Sequence, residues 1–299
     1  MKHGVMAVLL TSVLLFGTAS VGADELGQAM RTILAAQKPV VITIRLSQKQ
    51  KMTIPESGTQ ENESMNEVTG TVIDPSGLVV TSLSATDPSA LMQQMMGGQD
   101  DPGFKIEVEL TRVVLLLEDG KEVDAQVVLR DKDLDLAFLR PTTVLEKPLA
   151  SLDLAKSAKP EQFDPLILPK KLGKVANRAY SAAVARVEAI IEKPRSLYVL
   201  GMQEVSPGTP AFLATGECAG IAVVRSIAPT DDSDGGYYGN QDPNVAIVVL
   251  PGVDVLEIAK QAPAKAAEAP QPAAAPAATP EPAAPVSVVI PNSPQGAKS

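Results

Sequence analysis

The two side chains that most often do chemistry near neutral pH each occur once in this sequence. His3 is the only histidine and Cys218 the only cysteine among the 299 residues. Histidine serves as a general base or a metal ligand, and a thiolate is a strong nucleophile. His3 lies in a segment that we expect to be removed. Cys218 precedes an apolar run, so we interpret it as a small buried strand residue rather than a reactive thiol.

Residues 231–234 offer oxygen ligands from three aspartates and a serine. Their alternation does not match the spacing of a calcium-binding EF-hand loop, and a solvated loop explains them better. The sequence has no glycine-rich phosphate loop and no pair of cysteines at metal-ligand spacing. We therefore expect neither a metal nor a cofactor.

Composition limits the classes of partner and the kind of core. The net charge of −9 argues against nucleic-acid binding, which needs clustered Lys and Arg. The small basic group Lys170, Lys171 and Lys174 is interpreted as a solvated loop. Apolar residues make up 45% of the chain but aromatics only 3%, so the core must consist of Val, Leu, Ile and Ala. Clustered valines favour strands.

The first 23 residues have the pattern of a secretory signal. Lys2 and His3 precede an apolar run over residues 5–16, and small residues follow up to Ala23. Val21 and Ala23 fit the positions that signal peptidase reads, and the apolar run is too short to span a membrane well. An uncleaved N-terminal anchor is the alternative. We expect a periplasmic or secreted protein without a membrane span in the mature chain.

The remaining elements form a succession of short strands. Residues 24–38 have helical periodicity, and a second short helix is predicted over residues 253–261. Residues 46–66 are mostly polar and are predicted to form a loop, and residues 88–104, with Met-rich residues 91–96, a short helix and a loose loop. Strands are predicted at residues 39–44, 68–73, 78–81, 108–117, 123–129, 136–139, 166–168, 179–187, 197–200, 211–213, 220–224 and 245–250. This pattern is typical of an all-β sandwich or pair of barrels.

The composition changes sharply at residue 262. Alanine and proline dominate to residue 285, so the segment can neither bury a core nor hold a helix. We predict three regions: a signal peptide over residues 1–23, a folded domain over residues 24–261, and a disordered Ala/Pro-rich tail over residues 262–299. The apolar residues 286–290 could add to a sheet edge.

Three blocks resemble HtrA-type proteases of the trypsin-like serine peptidase family. Residues 69–81 resemble that family's first-barrel hairpin, G-S-G-x-I-I-D-x-x-G-x-I-L-T. Residues 115–139 are similar to V-x-L-x-D-G followed by a strand and D-L-A-L-L. Residues 206–221 are similar to G-N-S-G-G-P-L followed by G-x-x-x-G-I. The resemblance covers roughly residues 35–261, lacks the family's PDZ domain, and implies an all-β fold of two barrels.

The resemblance also implies where a catalytic triad would lie. The family's aspartate matches Asp135, its histidine falls on Ser84, and its nucleophile falls on Pro207, or on Ser206 if the turn shifts by one residue. Val205 occupies the position of the family's glycine that helps to form the oxyanion hole. Peptide hydrolysis by this fold requires Ser, His and Asp together. We expect no intact catalytic site, because only the aspartate is retained.

Two classes of function follow from this comparison. The first is a non-catalytic pseudoprotease that holds an extended peptide or protein partner in the old cleft or on a strand edge. The second is a serine endopeptidase with an atypical site, such as Ser206 with Lys170 or Lys193, although nothing in their spacing supports that pair.

The signal sequence makes a direct prediction. We expect the mature chain to begin at Asp24, because Val21 and Ala23 form the best cleavage site. N-terminal sequencing of the protein recovered from the periplasm or medium of its native host tests this. An intact Met1 on the exported protein would contradict it.

Overall fold

A computed structural model of the chain describes residues 21–54, 58–89, 105–200, 205–226 and 245–264. Within these ranges the chain forms three α-helices and twelve strands. The helices are α1 (Val21–Gln37), α2 (Leu83–Thr86) and α3 (Gly252–Ala259). The strands are β1 (Val41–Ile54), β2 (Gly58–Asp74), β3 (Leu78–Ser82), β4 (Lys105–Leu116), β5 (Glu122–Asp131), β6 (Leu136–Pro141), β7 (Pro165–Lys171), β8 (Tyr180–Ile191), β9 (Leu197–Leu200), β10 (Pro210–Leu213), β11 (Cys218–Ser226) and β12 (Val245–Pro251).

The strands form two closed antiparallel barrels, which confirms the predicted all-β architecture. The first has the strand order β1-β2-β3-β6-β5-β4, and the second β10-β11-β12-β9-β8-β7. Alternate residues of each strand point inwards, because side chains of a strand alternate between its two faces. Aliphatic side chains such as Ile42, Ile44 and Leu115 fill the first barrel. Leu166, Leu168 and Val249 help to fill the second.

A third apolar cluster joins the two barrels. It includes Val80 and Phe138 of the first barrel, Phe212 and Val223 of the second, and Ile33 of α1. Every residue of β3 and of β6 is buried, because one face of each strand lies inside its barrel and the other packs in this shared cluster. The predicted helix over residues 24–38 is confirmed as α1, and its apolar face packs on both barrels' shared core.

The prediction of a loop over residues 46–66 was wrong. β1 and β2 pair as one long hairpin from Val41 opposite Thr71 to Ile54 opposite Gly58. Strand β4 pairs with the other edge of β1, so the polar part of β1 has backbone partners on both sides. The structure therefore extends three largely polar strands out of the first barrel, with Gln48 and Ile106 buried on one face of the extension.

Charge pairing accounts for the polar composition of this extension. Lys49 lies opposite Glu63 on β2 and Glu109 on β4, and Lys51 lies opposite Glu61 and Glu107. The Lys49 Nζ to Glu63 Oε1 distance is 3.3 Å, and the pair is exposed. Exposed pairs of this kind each stabilise by at most about 1 kcal/mol. Prediction from apolar alternation misses such a strand because its partners are charges and backbone groups.

Several sequence predictions lie outside the described residues. These are the apolar core of the signal sequence, the Met-rich residues 91–96, the acidic residues 231–234 and the tail beyond Ala264. Within the part of the chain that is described, no helix is long and apolar enough to cross a membrane.

A loop of the second barrel is held directly on the first barrel. Gly208 has a φ of +87°, in the left-handed region, and a Cβ built there would lie 2.3 Å from the backbone oxygen of Thr69. Thr71 Oγ1 donates a hydrogen bond of 2.8 Å to the Gly208 carbonyl oxygen. Only a residue without a side chain allows this approach of the two backbones.

This contact predicts an unequal effect of two glycine substitutions. Gly208→Ala should destabilise the protein by about 3 kcal/mol or more, because it adds a steric clash to backbone strain. Gly216→Ala is the matched control, since Gly216 has a φ of +92° with nothing within 4 Å of its Cβ position. It should cost only the strain, about 1 kcal/mol. Chemical unfolding measures both values, and equal losses would contradict the proposed contact.

Candidate functional site

The candidate site is organised around Asp135, which lies immediately before β6. Its φ of +57° is left-handed, a conformation that Asp adopts more readily than most residues. The preceding turn is fixed by a 2.9 Å hydrogen bond from the Leu134 N–H to Asp131 Oδ1. Asp135 is 6% exposed, so its carboxylate requires internal donors.

Four donors meet the Asp135 carboxylate. Ser84 donates to Oδ1 from both its backbone N–H and its Oγ, each at 2.7 Å. Ser82 Oγ and the Val224 N–H donate to Oδ2, the latter at 2.8 Å. Since two carboxylate oxygens offer about four acceptor positions, this set fills them. Val224 belongs to β11, so the carboxylate also bonds the two barrels together.

Ser84 therefore lies against Asp135. Helix α2 begins directly after β3, and it brings the half-buried Ser84 back over the start of β6. A second bond, from the Leu83 N–H to the Asp135 carbonyl oxygen at 2.8 Å, holds the same turn. The Ser84 hydroxyl donates a hydrogen bond to the carboxylate, and a serine hydroxyl cannot act as a base near neutral pH.

Ser206 is not brought into this hydrogen-bonded group. It lies in the loop that precedes β10, where the Gly208 N–H donates to the Ala222 carbonyl oxygen at 2.7 Å. Among the residues that the structure describes, no hydrogen bond joins the Ser206 side chain to Ser84 or Asp135. Pro207, the next residue, has no backbone N–H to offer to an oxyanion.

Ser206 and Pro207 instead line a cavity of about 340 Å³ between the barrels. The first barrel contributes Glu67, Val68 and Thr69 of β2, and the second contributes Lys170 and Lys171 at the end of β7, among others. We call this cavity the inter-barrel cleft. It has both apolar and charged walls.

Glu67 of the charged wall interacts with two arginines beside the cleft, and the sequence analysis selected none of the three. Arg178 Nη2 lies 2.5 Å from Glu67 Oε1, and Arg45 Nε lies 3.7 Å from the same oxygen. The hydrogen bond from Arg178 holds the pKa of Glu67 below its ordinary value, and the positive charge of Arg45 adds to the effect. Arg45 and Glu67 are opposite one another in the β1–β2 hairpin, so correct prediction of that hairpin would have paired them.

Lys171 also has a perturbed environment. Its side chain is partly buried, and that burial lowers the pKa of its ammonium group, with a smaller effect from the charge of Arg178 and an opposing one from Glu118. The interpretation of Lys170 and Lys171 as a solvated loop was wrong, because both lie in β7 and line the cleft. Of these three lysines, only Lys174 is exposed, in a short 3-10 turn.

The cysteine has no place in the candidate site. Cys218 is 4% exposed at the start of β11, and burial raises the pKa of its thiol to about 12. The prediction of a buried strand residue is confirmed. Within the described ranges, no group of three or more His, Cys, Asp or Glu side chains lies close enough together to hold a metal ion.

Comparison with known proteins identifies the architecture independently. The family model of the trypsin-like peptidase domain matches residues 68–221, which is just over half of the 299-residue chain. The match begins in β2 and ends in β11, so it includes Asp135 and the Ser206 loop. No curated protein matches the chain.

Because both oxygens of the Asp135 carboxylate accept hydrogen bonds, the stability of the protein should depend strongly on them. Asp135→Asn should destabilise the protein by about 3 kcal/mol, because in either amide orientation an NH₂ group faces a backbone N–H, of Ser84 or of Val224. Asparagine tolerates the left-handed backbone, so strain does not contribute.

Asp153→Asn is the matched control for this substitution. Asp153 is exposed and caps a short turn by accepting from the Ala155 N–H at 3.1 Å, which an asparagine can also do. We expect a change below about 0.5 kcal/mol for the control. Coincident denaturant midpoints of Asp135→Asn and the wild type would show that the carboxylate does not hold the barrels together.

Proposed function

The chain belongs to the trypsin-like peptidase domain family, and from that premise we propose that it is an exported, HtrA-like pseudoprotease that binds an extended peptide or protein segment. The proposal has three parts: the absence of hydrolysis, the mode of peptide binding, and export. The observation that carries it is the complete hydrogen bonding of Asp135 by serine hydroxyls and backbone N–H groups.

A working triad needs an aspartate with an acceptor free to orient a base. Here Ser84 occupies Oδ1 through two bonds, and Ser82 and Val224 occupy Oδ2. No imidazole is present in the described part of the chain, and the single histidine of the sequence is His3. A serine hydroxyl without a base is a weak nucleophile. These facts support a site that stabilises the fold instead of transferring protons.

The nucleophile loop supports the same conclusion. Pro207 removes one backbone donor at the turn where this family directs N–H groups at an oxyanion, and Val205 replaces a glycine of the resemblance. Loss of members of a triad reduces the rate of serine proteases by about 10⁴ to 10⁶. Ser206 would need both a base and an oxyanion hole for activity.

An unpaired strand edge supports peptide binding. Strand β2 pairs with β3 only at Thr71, Val72 and Asp74, and the edge at Thr69 is covered by the Gly208 loop and the Thr81 hydroxyl. The outer edge over residues 58–68 has no partner among the described strands, and Val68 at its inner end also lines the inter-barrel cleft. An extended peptide could add to such an edge through backbone hydrogen bonds and place side chains in the cleft.

Export is supported by the signal pattern of residues 1–23 alone. A protein exported without activity of its own would act by binding, as a scaffold for a peptide or protein partner. The same protein in the cytoplasm would retain the binding surface, so the two parts of the proposal are tested separately.

One observation favours a second candidate, a serine endopeptidase with a lysine as base. Ser206 lines the same cleft as Lys170 and Lys171, and burial lowers the pKa of Lys171. A desolvated lysine can activate a serine in principle. Lys193, the other lysine considered from the sequence, is exposed between β8 and β9 and is not among the described residues that line the cleft.

Purified protein beginning at Asp24 tests the two candidates. We expect no hydrolysis of casein and no labelling by a fluorophosphonate probe, and Ser84→His alone should not create activity. An active peptidase of the same fold serves as the positive control. Hydrolysis by the wild type that Ser206→Ala abolishes would overturn the pseudoprotease proposal and favour the lysine-based peptidase.

A further inference from the structure

Two lysines share one tyrosine ring at the side of the inter-barrel cleft. Lys171 Nζ lies 4.9 Å from the centre of the Tyr180 ring, and Lys38 Nζ lies 5.4 Å from it. The Tyr180 hydroxyl donates a 3.2 Å hydrogen bond to the Lys38 carbonyl oxygen, which fixes the ring. We call these three residues the lysine–tyrosine cluster. It joins the turn before β1 to the ends of β7 and β8.

Neither ammonium group of the cluster forms an ion pair with a described residue. Other described lysines do form such pairs, for example Lys49 with Glu63 and Lys121 with Glu146, and those lie on exposed surface. Lys38 and Lys171 are half-buried. A cation that has lost part of its hydration without gaining a counter-charge is unfavourable, and a ring face offsets only part of that cost.

Among the described residues, the charges around the cluster are positive overall. The cationic groups of the cluster and of the ion-pair network beside it are Lys38, Lys171, Arg45 and Arg178. The carboxylates are Glu67, Glu118 and Glu122. Glu67 is held by both arginines and Glu122 by Arg45 at 2.9 Å, and Glu118 acts on Lys171 without forming an ion pair. In the described part of the chain, these four cations outnumber the three carboxylates, although the net charge of the whole sequence is −9.

We propose that the lysine–tyrosine cluster binds the carboxylate of an acidic side chain in the peptide held by the cleft. This rests on the proposed function, because it assigns a class of peptide to that binding site. Lys171 belongs to both the cluster and the cleft wall, so a peptide on the free edge of β2 passes beside it. The bound carboxylate supplies the counter-charge that the two ammonium groups lack.

The walls of the cleft favour a peptide over a free inorganic anion. Val68, Leu172 and Pro207 give it apolar surface next to Lys171, which suits an apolar residue beside the acidic one. Bidentate recognition of phosphate is best served by guanidinium groups. Both arginines near the cleft are already engaged by Glu67 or Glu122, and the lysines act as point charges.

Selection of displayed random decapeptides on the chain from Asp24 to Ser299 provides the test. We expect enriched peptides to share an Asp or Glu at one position, with an apolar neighbour. Fluorescence anisotropy should show about tenfold weaker binding when that residue is replaced by its amide on the wild-type protein. Lys171→Met should weaken binding of the acidic peptide by a similar factor. On that variant, replacing the acidic residue of the peptide by its amide should leave the affinity nearly unchanged.

Lys174→Met is the control, because it removes the same charge from an exposed position outside the cleft. It should leave affinity within about twofold. Enriched peptides without a common acid, or equal effects of the two lysine variants, would refute the acidic specificity and leave the pseudoprotease proposal standing. Failure to enrich any peptide would overturn both. If about 10 mM inorganic phosphate displaced the peptide, and the amide replacement left the affinity unchanged, the cluster would be a site for free anions instead.

Discussion

The two barrels are joined through one buried carboxylate. Asp135 accepts hydrogen bonds from Ser82 and Ser84 of the first barrel and from the Val224 N–H of the second. A buried carboxylate is unfavourable unless its oxygens are satisfied, so the positions of all these donors are fixed together. The contacts of Gly208 with Thr69 and Thr71, and the apolar cluster around Phe138 and Phe212, can form only when the barrels meet in this arrangement.

The same bonding that stabilises the interface restricts the chemistry of the site. A carboxylate that orients a base must keep one acceptor for it, whereas Ser84 uses one oxygen of Asp135 from both its backbone and its hydroxyl. A serine at this position is short enough to fold back on the carboxylate, and α2 carries its N–H to the same oxygen. The pseudoprotease proposal therefore follows from one replacement. Ser84, which donates a fixed hydrogen bond, occupies the position at which a triad needs a histidine that transfers protons.

The sequence predictions succeeded where the interacting residues are close together in the sequence and failed where they are far apart. Apolar alternation is local, so the strands around Ile42, Leu166 and Val249 were predicted correctly, and the order of the motif blocks led to two barrels. The assignment of Ser84 and Asp135 to triad-equivalent positions came from the resemblance, since no local signal relates two residues that lie 51 positions apart. The Arg178–Glu67 pair, 111 residues apart, has no local signal. The β1–β2 extension was missed because Lys49 and Glu63 are strand partners only once the register is known.

Lysine plays two physically different parts in this protein, and the environment decides which. On the β1–β2–β4 extension, Lys49 and Lys51 lie between carboxylates on both neighbouring strands, remain hydrated, and contribute register more than stability. At the cleft, Lys171 has given up part of its hydration and has a ring as its neighbour in place of a carboxylate. Charges that are satisfied internally gain little from a ligand, whereas a partly desolvated and unpaired ammonium gains a full interaction when a carboxylate arrives. An acidic chain can thus recognise an acidic peptide, provided that recognition occurs within the range of local contacts and the repulsion between the net charges is screened by salt.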